Sequence, residues 1–426
     1  MTRNRFQVFP TYTQEFHTHH SYPVCFTNNL FTGTNQTIRR TLTEMGHNAP
    51  VRCAILVDSG VAARNRNLIK QIMRHFQKEH PFFELCHAPF IMCGGEAVKN
   101  SQRMVEETAT IAHAHGLSQE SLVFVVGGGA FLDAAGAALA QCRGGIKTVN
   151  VPTSTLSQCA AGVGTMRYMN TGGIKNFSGI AAPPYAVFID FSLLKTLPFE
   201  HHISGMAEAF KMALSSDADF FSYLVKKAKK LRQNDPDTVE KVVHKTATLH
   251  LDRVRASTDP ILDGSSEGTS LGCRVAHWLE TCSGYKLPHG HALSVGIALN
   301  ASYARHTGSL SEEDFSKLIH GLMACGLPVW NRFLEARTDK GLPELTAVLA
   351  RSFQNTSGAE ANLMVPDGIG ALKAVSHLDF KAFEKGVGVL RGLSRKDLSD
   401  ERRVFVVSPG KRSKKNSPMD LGVARE

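Results

Sequence analysis

The stretch Ser121–Ala140, SLVFVVGGGAFLDAAGAALA, decides the fold. Leu122 to Val126 is a short apolar run rich in β-branched residues, which reads as a strand buried in a parallel sheet. Gly127, Gly128 and Gly129 follow, and small apolar residues then continue at helical spacing, with Asp133 in the first turns. A strand, a glycine turn and a helix together can seat a phosphate. Glycine lets the backbone come close, and the helix N-terminus offers free N–H groups and a positive dipole end. The triple glycine departs from the usual G-x-G-x-x-G dinucleotide fingerprint, and a tight strand-to-helix turn explains it equally well.

The flanking sequence repeats the pattern. Cys53 to Gly60, CAILVDSG, reads as a strand ending in Asp58, followed by a basic amphipathic helix. A strand near Phe82–Leu85, the turn CGGEAVKN and a helix to about Gly116 precede the glycine stretch, and a strand at Thr148–Val151 follows it. Extended segments are also expected at Phe6–Pro10 and Tyr22–Thr27. Alternating strands and helices predict a parallel sheet with crossover connections. From about Phe199 helical periodicity takes over, at Ile203–Leu214, Phe220–Gln233, Val239–Ala256, Gly272–Thr281 and His291–His306. The expected division is an α/β domain over 1–198, a mainly helical domain over 199–393 and a basic tail over 394–426.

Composition narrows the class. With 426 residues, 42% of them hydrophobic and 20% charged, the chain is long enough for two globular domains. No apolar run reaches membrane-spanning length, and the N-terminus lacks the apolar block of a secretion signal. Nine cysteines without framework spacing suit reduced thiols in the cytoplasm. The formal charge is +10, but much of the excess lies in SRKDLSDERR and GKRSKK without interleaved aromatics. That favours a solvated tail over a nucleic-acid surface.

Seven motifs in order carry a resemblance. They are GGEAVKN (94–100), GGGAFLDAAG (127–136), VPTSTLSQ (151–158), IKNFSG (174–179), LLKTLP (193–198), GMAEAFKMAL (205–214) and PHGHALSVGIAL (288–299). The chain resembles the 3-dehydroquinate synthase (sugar phosphate cyclase) family over roughly residues 20 to 390. The resemblance implies a Rossmann-like NAD domain followed by a helical metal and substrate domain. It implies NAD contacts from Asp58, Glu96, Lys99, Gly128, Gly129, Asp133, Thr153, Ser154, Lys175, Thr196 and Leu197. It also implies substrate handling by Lys211, His277, Lys175 and Asn176, and a divalent metal, expected to be zinc, on Glu208, Cys273 and His289. Cys273 stands where the family carries a histidine, and thiolate is a good zinc ligand. A buried, inert cysteine explains it equally well.

Residue by residue, Asp58 also reads as a helix cap and Lys99 as a solvated helix charge. Other family positions differ here: Ala160, Met166, Asp252, Ser266, Ser270 and His291 replace mostly charged or polar groups. The implied activity is NAD- and metal-dependent conversion of an acyclic sugar phosphate to a carbocycle with loss of phosphate, by a homodimer. Because several substrate contacts are lost, poor turnover of the standard dehydroquinate precursor is expected. The alternatives are a polyol dehydrogenase of the glycerol-dehydrogenase type and a catalytically degenerate NAD-binding homologue.

Overall fold

The computed structural model describes residues 11–15, 20–48, 50–257, 271–355 and 363–400. The expected strand at 6–10, Ser266, Ser270 and the basic tail beyond residue 400 lie outside the described residues. In chain order the first half contains β1 (Val24–Thr27), α1 (Thr37–Glu44), β2 (Val51–Asp58), α2 (Ser59–Arg64), α3 (Leu68–Lys78), β3 (Phe83–Leu85) and β4 (Phe90–Met92). It continues with α4 (Gln102–Ala114), β5 (Leu122–Gly127), α5 (Gly129–Gln141), β6 (Lys147–Pro152), β7 (Met166–Thr171), β8 (Ile174–Ala181) and β9 (Ala186–Asp190). Seven of these strands form one sheet in the order β1-β9-β6-β5-β2-β3, with β4 also paired to β2, and every pairing is parallel.

All six residues of β5 are buried, because both faces of the sheet are covered. One face packs Ile55, Phe76, Phe83 and Phe124 together, and the other packs Leu56, Val125, Phe131 and Leu132. A continuous apolar run is the signature of a strand covered on both sides. The C-terminal ends of β2, β5 and β6 fall side by side in register, Val57 beside Val126 and Gly127 beside Pro152. In open parallel sheets, ligands sit at that edge.

β7 and β8 form a separate antiparallel hairpin, turned at Gly172 and Gly173, both with φ in the left-handed region. The second half is helical: α6 (Phe199–Ser216), α7 (Ala218–Arg232), α8 (Pro236–Ala256), α9 (Cys273–Cys282), α10 (His289–His306), α11 (Glu312–Cys325), α12 (Glu344–Asn355) and α13 (Phe380–Asp400). A short antiparallel pair, β10 (Leu363–Pro366) and β11 (Leu372–Val375), lies before α13. From Ala292 to Ala304 every residue of α10 is buried, so this helix forms the centre of the helical core. No described helix is long and apolar enough to cross a membrane.

The two halves meet where α6 docks on the loop after β6. Thr155 Oγ1 lies 2.9 and 2.8 Å from the carbonyls of His201 and His202. A Cβ at Gly205 would stand 2.3 Å from Thr155 Oγ1 and 2.5 Å from the Leu156 backbone nitrogen. Replacing Gly205 by Ala is therefore expected to cost about 3 kcal/mol by forced displacement of packed backbone. The urea midpoint reads this out, and an unchanged midpoint would show that the junction yields freely.

Candidate functional site

A cavity of about 530 Å³ opens at the C-terminal edge of the sheet, against α6, α9 and α10. Asp58 lies at its rim as the N-cap of α2, accepting from the Gly60 N–H at 2.7 Å. The helix-cap reading of Asp58 is realised, and the residue also lines the cavity. Burial pushes its carboxyl above the usual carboxylate range, against the opposing pull of backbone N–H groups and Arg64. A Cβ at Gly94 would fall 2.1 Å from Asp58 Oδ2, so the loop can pass this carboxylate only as glycine. Gly128 and Gly129 open α5 with no side-chain cap, and both line the cavity. A Cβ on Gly128 would approach no protein atom closer than Ser154 Oγ at 4.0 Å.

Lys99 is buried rather than solvated. Its Nζ donates to Asp133 Oδ2 at 2.8 Å and to Asn176 Oδ1 at 2.6 Å. Asn176 sits on the hairpin with φ 53°, and its N–H donates to Asn170 Oδ1 at 2.9 Å. The hairpin is thereby tied to the glycine-turn helix. Thr153, Ser154, Thr196 and Leu197 also line the cavity, Ser154 Oγ resting 2.9 Å from Ser157 Oγ.

Lys175, on β8, bridges the two halves. Its Nζ contacts Glu96 Oε1 at 3.2 Å and hydrogen-bonds Glu280 Oε1 on α9. Burial alone would lower the lysine's pKa, but the two carboxylates overcome it and raise it. Burial alone would raise Glu280, but His289 and Lys175 hold it well below the usual carboxylate range. Glu280 Oε2 lies 2.9 Å from His289 Nδ1. Glu96 Oε1 is buried and, despite the lysine contact, accepts no hydrogen bond of good geometry. It remains an acceptor suited to a ligand hydroxyl.

On α6, Glu208 and Lys211 are one turn apart and form an ion pair at 2.7 Å. Glu208 Oε1 is likewise buried without a well-formed hydrogen bond. Glu208, Cys273 and His289 all line the cavity, as does Lys211. Among the described residues, however, the three donors that come within 4.8 Å of one another are His277, Glu280 and His289. Glu208 and Cys273 share their cavity without joining that group. His277 does not line the cavity, and its ring centroid lies 5.8 Å from that of His289.

All eleven expected cofactor residues therefore border one cavity, together with Lys211, Asn176 and the three expected ligands. Asp252 does not: it is exposed on α8 and pairs with Arg255 at 3.1 Å, while His250, two residues earlier, lines the cavity. Ala160 is on the cavity wall. Glu280 was missed from sequence, although it follows His277 by three residues and so shares its helix face.

Comparison with known proteins agrees with this architecture. The family models for the N-terminal and C-terminal parts of 3-dehydroquinate synthase match residues 89–204 and 205–347. A 3-dehydroquinate synthase from Rhodopirellula baltica is 31% identical over 283 residues, 66% of this chain and 73% of that relative. A 2-epi-5-epi-valiolone synthase from Streptomyces glaucescens is 31% identical over 65% of this chain and 69% of its own length. Among solved structures, a 2-epi-5-epi-valiolone synthase from Streptomyces hygroscopicus with NAD+ and Zn2+ bound superposes with a TM-score of 0.75 at 22% identity. That superposition covers 90% of this chain and all of that one.

The side chains of Lys99 and Asp133 are only 4% and 9% exposed, so neither charge has water to fall back on. Lys99→Met should cost about 3 kcal/mol, because it leaves the buried Asp133 carboxylate with Arg167, itself fully buried, as its remaining cation. Asp133→Asn should cost at least as much, since it strands both cations. Urea denaturation of wild type and the two variants measures both, and an Asp133→Asn variant as stable as wild type would refute the pairing argument.

Proposed function

The chain belongs to the 3-dehydroquinate synthase family, and on that premise we propose that it is a sugar phosphate cyclase using NAD and a divalent metal. The carrying observation is the single cavity in which the glycine turn of the sheet half meets Glu208, Lys211 and His289 of the helical half. The residues fit both groups. Asp58 and Glu96 Oε1, which the Lys175 ammonium only partly engages, are acceptors for ribose hydroxyls, and the N–H groups opening α5 suit a diphosphate. Glu208, Cys273 and His289 offer oxygen, sulfur and nitrogen donors to the same cavity, a set whose chemistry suits zinc better than a harder ion. When bound, NAD supplies reversible hydride transfer and the metal a Lewis acid.

The chain's own groups do the rest. Lys211 and Lys175 position an anionic substrate, and Asn176 fixes the hairpin against Lys99. His277, beside His289 but off the cavity wall, would relay a proton at its ring nitrogen only by way of that neighbour's surroundings. The product is a carbocycle and inorganic phosphate. A cytoplasmic location suits nine thiols that form no disulfide, and a homodimer, readable by light scattering, is the assembly the resemblance implies.

Phosphate release from a panel of seven-carbon ketose phosphates, with and without zinc, tests the reading. Release without net NADH is expected. Steady NADH accumulation with a simple polyol and no phosphate release would instead mark a dehydrogenase. Within the panel, a substrate bearing a carboxylate should be poor. Met166 stands where the resemblance implies a lysine, and Lys99 is already held at depth by Asp133. Each missing charge-assisted contact is worth about 2 kcal/mol, near thirtyfold in rate. Fast turnover of the carboxylate-bearing compound would defeat this specificity claim.

Metal analysis tests the ligand set separately. Wild type should hold one zinc per chain and Cys273→Ser markedly less. Equal zinc in both would remove Cys273 from the set.

A further inference from the structure

Glu280 has no role in the reading above, yet it is 2% exposed and makes two directed contacts of different kinds. Its Oε1 is taken by the Lys175 ammonium and its Oε2 by His289 Nδ1 at 2.9 Å. Lys175 in turn contacts Glu96 at 3.2 Å, on the turn that follows β4. The buried ammonium beside Oε1 favours the ionised carboxylate, an acceptor at both oxygens. An ionised carboxylate can meet His289 Nδ1 only if that nitrogen carries a hydrogen. In the neutral ring the other nitrogen, Nε2, is then the one with a lone pair, on a residue that lines the cavity. Histidine ligands to metals are commonly oriented by such a carboxylate, which sets the tautomer and raises ligand basicity.

We propose that Glu280 is a positioning residue, which holds His289 in the Nδ1–H tautomer and presents Nε2 to the cavity. Through Lys175 and Glu96 it also references that ring to the sheet half of the molecule. The proposal builds on the metal-site reading, but its first test needs no metal. Although Glu280 falls within 4.8 Å of both histidines, a direct ligand role is disfavoured, because an ammonium already occupies one of its oxygens and an imidazole N–H the other.

The first measurement is long-range proton–nitrogen correlation NMR on metal-free wild type labelled at histidine nitrogens. It is run at pH 8, above the ordinary imidazole range, with His289 assigned by its loss in His289→Asn. A protonated Nδ1 with a bare Nε2 is expected. An Nε2–H tautomer or a doubly protonated ring would overturn the proposal. The second measurement is zinc affinity by competition with a chromophoric chelator, for wild type and Glu280→Gln. A neutral amide cannot accept from Lys175 and His289 with its single oxygen and must offer N–H to one of them. Affinity should fall about 10–100-fold, with a shift of the His289 tautomer. Affinity within threefold of wild type and an unchanged tautomer would overturn the proposal. So would a loss beyond about a thousandfold with the tautomer intact, which would make Glu280 a ligand. A wild type that shows the Nδ1–H tautomer but holds no zinc would support the positioning role and overturn the metal reading instead.

Discussion

A lysine buried between two carboxylates from opposite halves of the chain sets the geometry of everything around it. Lys175 is 5% exposed, with Glu96 on one side and Glu280 on the other. Removing an ammonium from water costs several kcal/mol, and only good geometry with opposite charges offsets that cost. The arrangement therefore has little tolerance. The hairpin that carries Lys175, the turn that carries Glu96 and the helix that carries Glu280 must arrive together. Lys99 with Asp133, and Lys211 with Glu208, repeat the device on two further walls. Such pairs are weak contributors to net stability, but they exclude alternative packings in which any one charge would be buried alone.

The sheet half was legible in the sequence because its signals are local. The run Leu122–Val126 is apolar on both faces, the glycines mark the turn, and Asp58 ends a second strand of the same kind. The five expected helices of the second half were equally plain, since their periodicity is sustained. The hairpin of β7 and β8 was not. Its second strand is almost wholly exposed or half-buried, so it shows neither a core run nor clean alternation. It exists to place Lys175 and Asn176, and that purpose is invisible without the partners they reach. The cofactor residues singled out by the order of motifs border one cavity, whereas Lys99 read by itself, as a solvated helix charge, could not reveal a partner 77 residues away on the hairpin. Asp252, at a position where the chain departs from the family, faces solvent for a geometric reason. A shift of two residues on a helix turns a side chain by about 200 degrees, from cavity to solvent, and His250 took the inward position.

The metal wall shows the limit of motif reading most clearly. Sequence order singles out Glu208, Cys273 and His289, from three separate helices. Distance singles out His277, Glu280 and His289, two of them from α9. These sets answer different questions. Groups close to one another without an ion are those already satisfied by hydrogen bonds, as Glu280 and His289 are. Groups that serve an ion must keep electron pairs unspent. Glu208 Oε1, buried and held by the Lys211 ammonium at 2.7 Å, can serve an ion only by sharing that hold.

The same distinction governs how the cavity can accept anions. Its three buried lysines are each matched by a carboxylate, so the wall carries little free positive charge at depth. Lys211 cannot give its full attraction to a phosphate while Glu208 holds it at 2.7 Å. A cation shared with Glu208 relaxes that hold, and a hydroxyl donated to Glu96 lessens the claim of Glu96 on Lys175. A cation on Glu208 and an anion on Lys211 would therefore favour one another's binding through the one pair that the protein already balances. This is thermodynamic coupling in the strict sense, since each ligand alters the free energy of the other through a shared pair. It requires no movement of domains, only that one carboxylate be divided between an internal partner and an external one.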